Sequence, residues 1–216
     1  MQINPPASID NLGGKGYQLT LLKEICSVPE FFAIRFDSHD EIDNTEIQNE
    51  ILEKFDADNF SLVSVRSSAT VEDSNTASFA GMFETKLSVN RAGLIEAVRK
   101  VLASLKDNRV AEYCALNKLQ HDSVEMRVVV QKMINSRVSG VCITREKQNS
   151  KTLLIEACVG LGEVLVSGLV TPDTYKVDRE SLEIVSSTIG FQKLMIVGGT
   201  SETPIDRKST RLNSSH

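Results

Sequence analysis

A glycine-rich segment near the start of the chain has the residue types needed to bind phosphate. It reads GGKG at 13–16 and carries Lys15. Adjacent glycines let backbone N–H groups approach an anion closely, and the lysine adds a mobile positive charge. The segment lacks the glycine spacing and the Lys-Ser/Thr pair of a P-loop. Taken alone, it fits an exposed turn before a helix at least as well.

Arg66 is the second candidate for phosphate binding. It follows a β-branched run at 62–65 and precedes the small, polar stretch 67–82, which contains Ser68 and Gly81. We predict a strand that ends at Arg66 and a loop over 67–82 that can fold over a ligand. At the end of a strand, the planar guanidinium suits bidentate contacts to phosphate oxygens. The alternative is a structural arginine beside a surface loop.

Two later segments could contact the rest of a nucleotide. Gln131 interrupts the apolar strand 128–134, so its amide could lie beside a planar heterocycle while main-chain groups near Met133 meet the edge of a base. Glu156 precedes a glycine turn at 160–162 and is a candidate contact to a ribose or a cation. There are equally good alternatives for both residues. Gln131 could be the one solvent-facing residue of a buried strand, and Glu156 could be a solvated or locally paired carboxylate.

The order of apolar periodicities predicts an α+β fold. Helical spacing is concentrated before residue 120, with Asn90 as a candidate cap for a helix over 94–105. Helices early and antiparallel-looking strands late favour α+β over a doubly wound parallel sheet. A helix after the GGKG segment would bury Leu19, Leu22, Ile25 and Cys26. The predicted later strands are 125–134, 138–144, 153–158, 174–178 and 182–189.

Composition excludes several classes of function. The chain has 24 basic and 29 acidic side chains, a net charge of -5, no tryptophan and only 5% aromatic residues. An acidic, aromatic-poor chain is not suited to coating nucleic acid or anionic lipid. No apolar run is long enough to span a bilayer, and no signal peptide is evident. The four widely spaced cysteines are expected to be buried, reduced thiols, and the expected location is cytoplasmic.

Four segments in this order resemble the N-terminal nucleotide-binding region of the phosphoenolpyruvate synthase and pyruvate phosphate dikinase family, which rifampicin phosphotransferases share. They are NLGGKG, VRSSATVED with SFAG, VSGVCITR, and IEACVGLGE with SGLVTPDTY. The resemblance spans nearly all of residues 11–190. It implies an ATP-grasp-like fold in which ATP lies between two α+β lobes, roughly 1–120 and 121–205. Members transfer the β-phosphoryl group of ATP to a histidine on a separate domain, releasing AMP and phosphate.

The resemblance also implies roles for individual residues. Lys15 and Arg66 would contact the ATP phosphates and act in catalysis. Gly81 and Thr85 would belong to the loop that covers the phosphates, and Gln131 would lie in the adenine pocket. The complete expected nucleotide-binding set is Lys15, Arg66, Gly81, Thr85, Gln131, Met133 and Glu156. Mg²⁺ is expected because it neutralises triphosphate oxygens, but the metal ligands are unknown, since the family's metal-binding Glu and Gln have no counterpart in this sequence.

Several departures from the family pattern leave alternatives open. The interval between Lys15 and Arg66 is shorter than in the well-known dikinases. The family's Thr-Ser-His domain and pyruvate-binding barrel have no counterpart, so the chain is expected to be a C-terminally truncated fragment whose partners are those missing domains, ATP and pyruvate. The end of the chain, DRKSTRLNSSH at 206–216, resembles the translation of a sequencing adapter. An antibiotic phosphotransferase and a stand-alone ATP-binding module are the alternatives.

Overall fold

The chain forms two compact units, Met1–Ile134 and Asn135–His216. The computed structural model describes residues 1–70, 73–74, 77–78, 82–117, 124–144, 151–197 and 201–204. Helices and antiparallel sheets are both present, so the predicted α+β class is confirmed. The predicted division near residue 120 is wrong, because the strand Met126–Lys132 pairs with strands of the first unit.

A five-stranded sheet forms the centre of the first unit. In chain order, the elements of this unit are β1 (Gln2–Ile3), α1 (Ile9–Leu22), β2 (Phe31–Arg35), α2 (Thr45–Ala57), β3 (Val63–Ala69), β4 (Asp73–Ser74), β5 (Ala77–Ser78), β6 (Thr85–Val89), α3 (Leu94–Ala103), α4 (Asn108–Leu116) and β7 (Met126–Lys132). The strand order in the central sheet is β1-β2-β7-β3-β6, and every neighbouring pair is antiparallel. The two short strands β4 and β5 pair with each other.

The two faces of this sheet are covered by different helices. One face packs against α2, α3 and α4 and forms the main apolar core, which includes Phe32, Ile51, Val98 and Val110. Side chains alternate between faces along a strand, so Ala33 and Val129 point the other way. Leu12 of α1 covers them there. We call this second side of the sheet the α1 face.

Helix α1 is bent at Gly13, inside the GGKG segment. Gly13 has φ 68° and ψ 176°, which is outside the helical range. A Cβ built on Gly13 would lie 2.0 Å from the carbonyl oxygen of Ser68, so only glycine fits there. Gly13 is therefore a non-helical residue between two helical parts of α1, and Gly14, Lys15 and Gly16 belong to the second part. The helix ends at Leu22, and Leu22, Ile25 and Cys26 are exposed, so the predicted apolar face is wrong from Leu22 onward; Leu19 is half-buried.

The second unit is built on a four-stranded antiparallel sheet with a small core. In chain order, its elements are β8 (Val138–Ile143), β9 (Thr152–Val159), α5 (Glu163–Val166), β10 (Asp173–Asp178), β11 (Ile184–Thr188), β12 (Leu194–Val197) and β13 (Ser201–Pro204). The strand order in the sheet is β11-β10-β9-β8, and β12 pairs with β13. Among the described residues, the buried apolar cluster of this unit consists of Cys158, Val164 and Val170.

The cysteines agree only in part with the expectation that they are buried. All four cysteines are free thiols, and Cys114 and Cys158 are buried as expected. Cys26 and Cys142 are exposed, so the expectation of burial is wrong for these two.

Among the described residues, no helix combines the length and the apolar character that crossing a membrane requires.

Candidate functional site

The residues on the α1 face form rows that run across the sheet. Antiparallel pairing puts directly opposite residues on the same face. The middle row is Ala33 on β2, Val129 on β7, Arg66 on β3 and Thr85 on β6. Two sequence-predicted site residues, Arg66 and Thr85, are therefore direct neighbours in this row.

Arg66 lies in the middle of β3 and not at its end, because the strand continues to Ala69. The prediction of a strand ending at Arg66 is therefore wrong. The guanidinium projects from the α1 face, where Nη1 of Arg66 donates a hydrogen bond of 3.0 Å to Oε1 of Gln131. The predicted loop over 67–82 is correspondingly shorter, since the Ser-Ser-Ala segment after Arg66 is strand.

The charge of Arg66 is partly buried and lacks a described anionic partner. Burial lowers the pKa of the Arg66 guanidinium by penalising its charged form, but an arginine stays protonated in a protein. No carboxylate in the described part of the chain forms an ion pair with Arg66. A partly buried positive charge that faces a neutral amide provides a site for an anion.

The backbone on both sides of Lys15 lies against the same face of the sheet. The backbone N–H of Gly16 donates to Oγ of Ser68 at 3.0 Å, and Ser68 lies two residues after Arg66 on β3. A Cβ on Gly16 would be 3.3 Å from Cγ2 of Val129, the residue directly opposite Arg66. Lys15, which is half-buried, therefore belongs to the part of α1 that covers the Arg66 row.

Gln131 and Met133 are engaged by the protein itself. While Oε1 of Gln131 accepts from Arg66, its Nε2 donates to the carbonyl oxygen of Pro29 at 3.3 Å. Gln131 is buried, and its amide orients Arg66. The N–H of Met133 donates to the carbonyl oxygen of Leu62 at 2.9 Å, so it does not offer this donor to the edge of a base.

The two remaining predicted site residues lie outside the described part of the first unit. Glu156 belongs to the second unit, where it lies half-buried on β9 between Val141 and Thr174. Gly81 lies outside the described residues. The expected roles of both residues stay predictions.

The described residues do not supply a metal site. Over these parts of the chain, no group of three or more His, Cys, Asp or Glu side chains is placed to hold a metal ion. The expected Mg²⁺ therefore has no fitting ligand set among them.

Sequence reasoning missed the residues that hold α1 against the sheet. Ser68 was expected in a flexible loop, but it is fully buried on β3 and hydrogen-bonded to α1. Arg127 and Arg35 also bond to the first turn of α1. The one available signal was the two-residue spacing of Arg66 and Ser68, which puts both on one face if the strand continues.

Comparison with known proteins identifies the family. The chain matches the pyruvate phosphate dikinase AMP/ATP-binding domain over residues 43–214. This match covers most of the chain, and the protein belongs to that family. Arg66, Thr85 and Gln131 lie inside the matched region, whereas Lys15 precedes it.

Individual relatives agree with this assignment. A probable phosphoenolpyruvate synthase of Archaeoglobus fulgidus is 47% identical over 136 residues, which is 62% of this chain and 18% of the relative. A rifampicin phosphotransferase of Bacillus cereus is 44% identical over 137 residues, 62% of this chain and 16% of the relative. A phosphoenolpyruvate synthase of Pyrococcus furiosus is 43% identical over 138 residues, 62% of this chain and 17% of the relative. The chain thus matches less than a fifth of the length of each of these relatives.

Proposed function

We propose that this chain binds ATP, with the phosphates held on the α1 face by Lys15 and Arg66. The observation that carries the proposal is the partly buried guanidinium of Arg66, which is hydrogen-bonded to a neutral amide and lies in the sheet row covered by the GGKG segment. Triphosphate oxygens would provide the missing negative charge. Arg66 would contribute a rigid fork of donors, and Lys15 a mobile charge.

The wider reaction is that of a phosphotransferase. We propose that the chain is the nucleotide-binding part of an ATP-grasp-like dikinase, in which the β-phosphoryl group of ATP passes to a histidine on another domain, with release of AMP and phosphate. Phosphoryl transfer depends mainly on positioning and on electrostatic stabilisation of oxygen charge. Lys15 and Arg66 supply both without a proton-transferring residue. A cytoplasmic location and Mg²⁺ as a companion of ATP belong to the same proposal.

The proposed acceptor follows from the named relatives. Two are called phosphoenolpyruvate synthase and one rifampicin phosphotransferase. All share the segment matched by this chain, so nucleotide binding is the common element. We propose pyruvate as the final acceptor, and an antibiotic of the rifampicin class is the alternative.

Calorimetric titration of the 216-residue chain with ATP tests the proposal. Measurements with and without Mg²⁺ separate nucleotide binding from metal dependence. We expect Lys15→Ala and Arg66→Ala each to weaken ATP binding by roughly tenfold to a hundredfold, since each removes a charge-assisted contact of about 1.5–3 kcal/mol.

Lys54→Ala is the matched control. It removes one positive charge from α2, whose buried residues belong to the opposite side of the sheet, and there Lys54 pairs with Asp58. We expect it to bind ATP as the unmodified chain does. Equal affinity of Lys15→Ala, Arg66→Ala and the unmodified chain would contradict the proposed phosphate site.

A further inference from the structure

A second row on the α1 face holds the backbone of the GGKG segment in place. This row consists of Arg35 on β2, Arg127 on β7 and Ser68 on β3, which are directly opposite one another. Each member contacts a different residue at the start of α1. We propose that Ser68 is a positioning residue that fixes the bend at Gly13 and thereby places Lys15 against the anion site; the functional part of this inference rests on the proposed ATP binding.

The hydroxyl group of Ser68 bonds to α1 on both sides of the bend. It donates to the carbonyl oxygen of Leu12 at 2.7 Å and accepts from the N–H of Gly16 at 3.0 Å. Leu12 precedes Gly13, and Gly16 follows Lys15. One buried hydroxyl therefore satisfies the acceptor and the donor that the non-helical Gly13 would otherwise leave unpaired.

The rest of the row bonds to the two residues before Leu12. Nε of Arg127 donates to the carbonyl oxygen of Asp10 at 2.9 Å. Nη1 of Arg35 donates to Oδ1 of Asn11 at 2.8 Å. Three consecutive residues of α1 are thus tied to three adjacent strands of one sheet, so the register between helix and sheet is specified at each of them.

The close packing of Gly13 against Ser68 allows only one position for the bend. Ser68 has no exposed surface. A Cβ on Gly13 would be 2.0 Å from the carbonyl oxygen of Ser68 and 2.5 Å from its Oγ. The backbone at Gly13 therefore lies directly on Ser68, and the direction in which α1 continues through Lys15 depends on this contact.

Amide hydrogen exchange at Gly16 tests the positioning role without any nucleotide. Ser68→Ala removes the acceptor of the Gly16 N–H. We expect exchange at Gly16 to accelerate by about tenfold, as follows from losing one hydrogen bond in a locally opened structure. Ser67→Ala is the matched control, because Ser67 lies opposite Val128 on the main-core side. Unchanged exchange at Gly16 in folded Ser68→Ala would overturn the proposal.

A double-mutant cycle with ATP tests whether Ser68 acts through Lys15. We expect Ser68→Ala to weaken ATP binding by about fivefold to tenfold in the unmodified chain, and to have no further effect in a Lys15→Ala background. A purely structural role would give the same loss in both backgrounds, and that result would overturn the positioning role.

Two further results must be distinguished: Ser68→Ala does not fold, or the unmodified chain does not bind ATP. If Ser68→Ala does not fold, Ser68→Cys keeps the shape of the side chain with a larger atom that forms weaker hydrogen bonds, and we expect intermediate exchange at Gly16 in the folded variant; exchange equal to that of the unmodified chain would again overturn the proposal. If the unmodified chain does not bind ATP, the proposed function and the link from Ser68 to ATP both fail. The exchange experiment still decides whether Ser68 fixes the bend.

Discussion

Arg66 carries a positive charge whose described partner is the uncharged amide of Gln131. A carboxylate at position 131 would satisfy this charge internally and remove the reason for an external anion to bind. The choice of an amide keeps Arg66 oriented while leaving its charge available. At the scale of a residue, anion binding therefore depends on two properties of Gln131: its hydrogen bond orients Arg66, and its lack of charge leaves the charge of Arg66 available to an anion.

Gln131→Glu tests this argument with a change of very few atoms. We expect the introduced carboxylate to pair with Arg66 and to weaken ATP binding by about tenfold or more, because a charged hydrogen-bond partner contributes about 1.5–3 kcal/mol that ATP must displace. Calorimetric titration with ATP measures the effect. Gln131→Leu is the control, since it removes the amide without adding charge and should weaken binding less than Gln131→Glu does. If Gln131→Glu binds ATP as tightly as the unmodified chain, the charge of Arg66 is not what attracts the nucleotide.

At the scale of an element, the bend in α1 determines where the helix meets the sheet. Gly13 combines a positive φ with close contact to the Ser68 backbone. The alternative of a straight helix would lose both hydrogen bonds to the Ser68 hydroxyl. The bend is therefore a specified feature of the sequence and not a local irregularity.

Gly13→Ala is expected to destabilise the first unit by at least about 2 kcal/mol, since the backbone at φ 68° and ψ 176° is in a region that is nearly restricted to glycine and costs other residues about 1–3 kcal/mol, and the contact with Ser68 adds steric strain. Urea unfolding followed by circular dichroism measures this change. Gly93→Ala is the control in the same unit, because its nearest atoms would be 3.6 Å away, an ordinary contact distance. A similar stability of both variants would show that α1 can shift to accommodate a Cβ at Gly13.

The elements that sequence predicted correctly are those with regular apolar spacing. Helix α3 and strands β8 to β11 lie close to their predicted positions. Asn90, the predicted cap of this helix, instead caps the short 3-10 turn Arg91–Gly93 by accepting from the Gly93 N–H, and α3 itself has no side-chain cap. Strand β3 was predicted too short, because its second half is Ser-Ser-Ala, a composition typical of loops. Pairing with β7 overrides that local preference. Such pairing depends on residues about 60 positions away, from Ser68 to Arg127, which periodicity does not detect.

The candidate site was predictable only in part for the same reason. The residue types of Lys15 and Arg66 suggest phosphate binding, and the family resemblance links them. The position of Arg66 on the α1 face follows from the β3–β7 register, and the contact of the backbone beside Lys15 with that face follows from the contacts of Gly16; neither is visible in the sequence alone. The bonds from Gln131 to Arg66 and from Ser68 to α1 follow from that register as well.

At the scale of the whole molecule, the two units differ greatly in how much apolar surface they bury. The main core of the first unit contains side chains from its central sheet and from three helices. In the described part of the second unit, the apolar cluster has three buried residues, and strand residues such as Val138, Ile184 and Val185 are more than half exposed. Since apolar burial is the main source of stability, the first unit should be the more stable of the two.

Native-state hydrogen exchange can compare the units on equal terms through β7 and β9. Each is an inner strand that pairs on both sides, so their amides differ mainly in the packing around them. We expect the amides of β9 to exchange through openings of lower free energy than those of β7.

Val164→Ala, at a fully buried site of the second unit, should lower the protection of β9 by about 2 kcal/mol and leave β7 unchanged. Val98→Ala in α3 should do the reverse. Equal losses in both strands from either variant would mean that the chain unfolds as one cooperative body, and the ranking of the two units would then have no physical meaning.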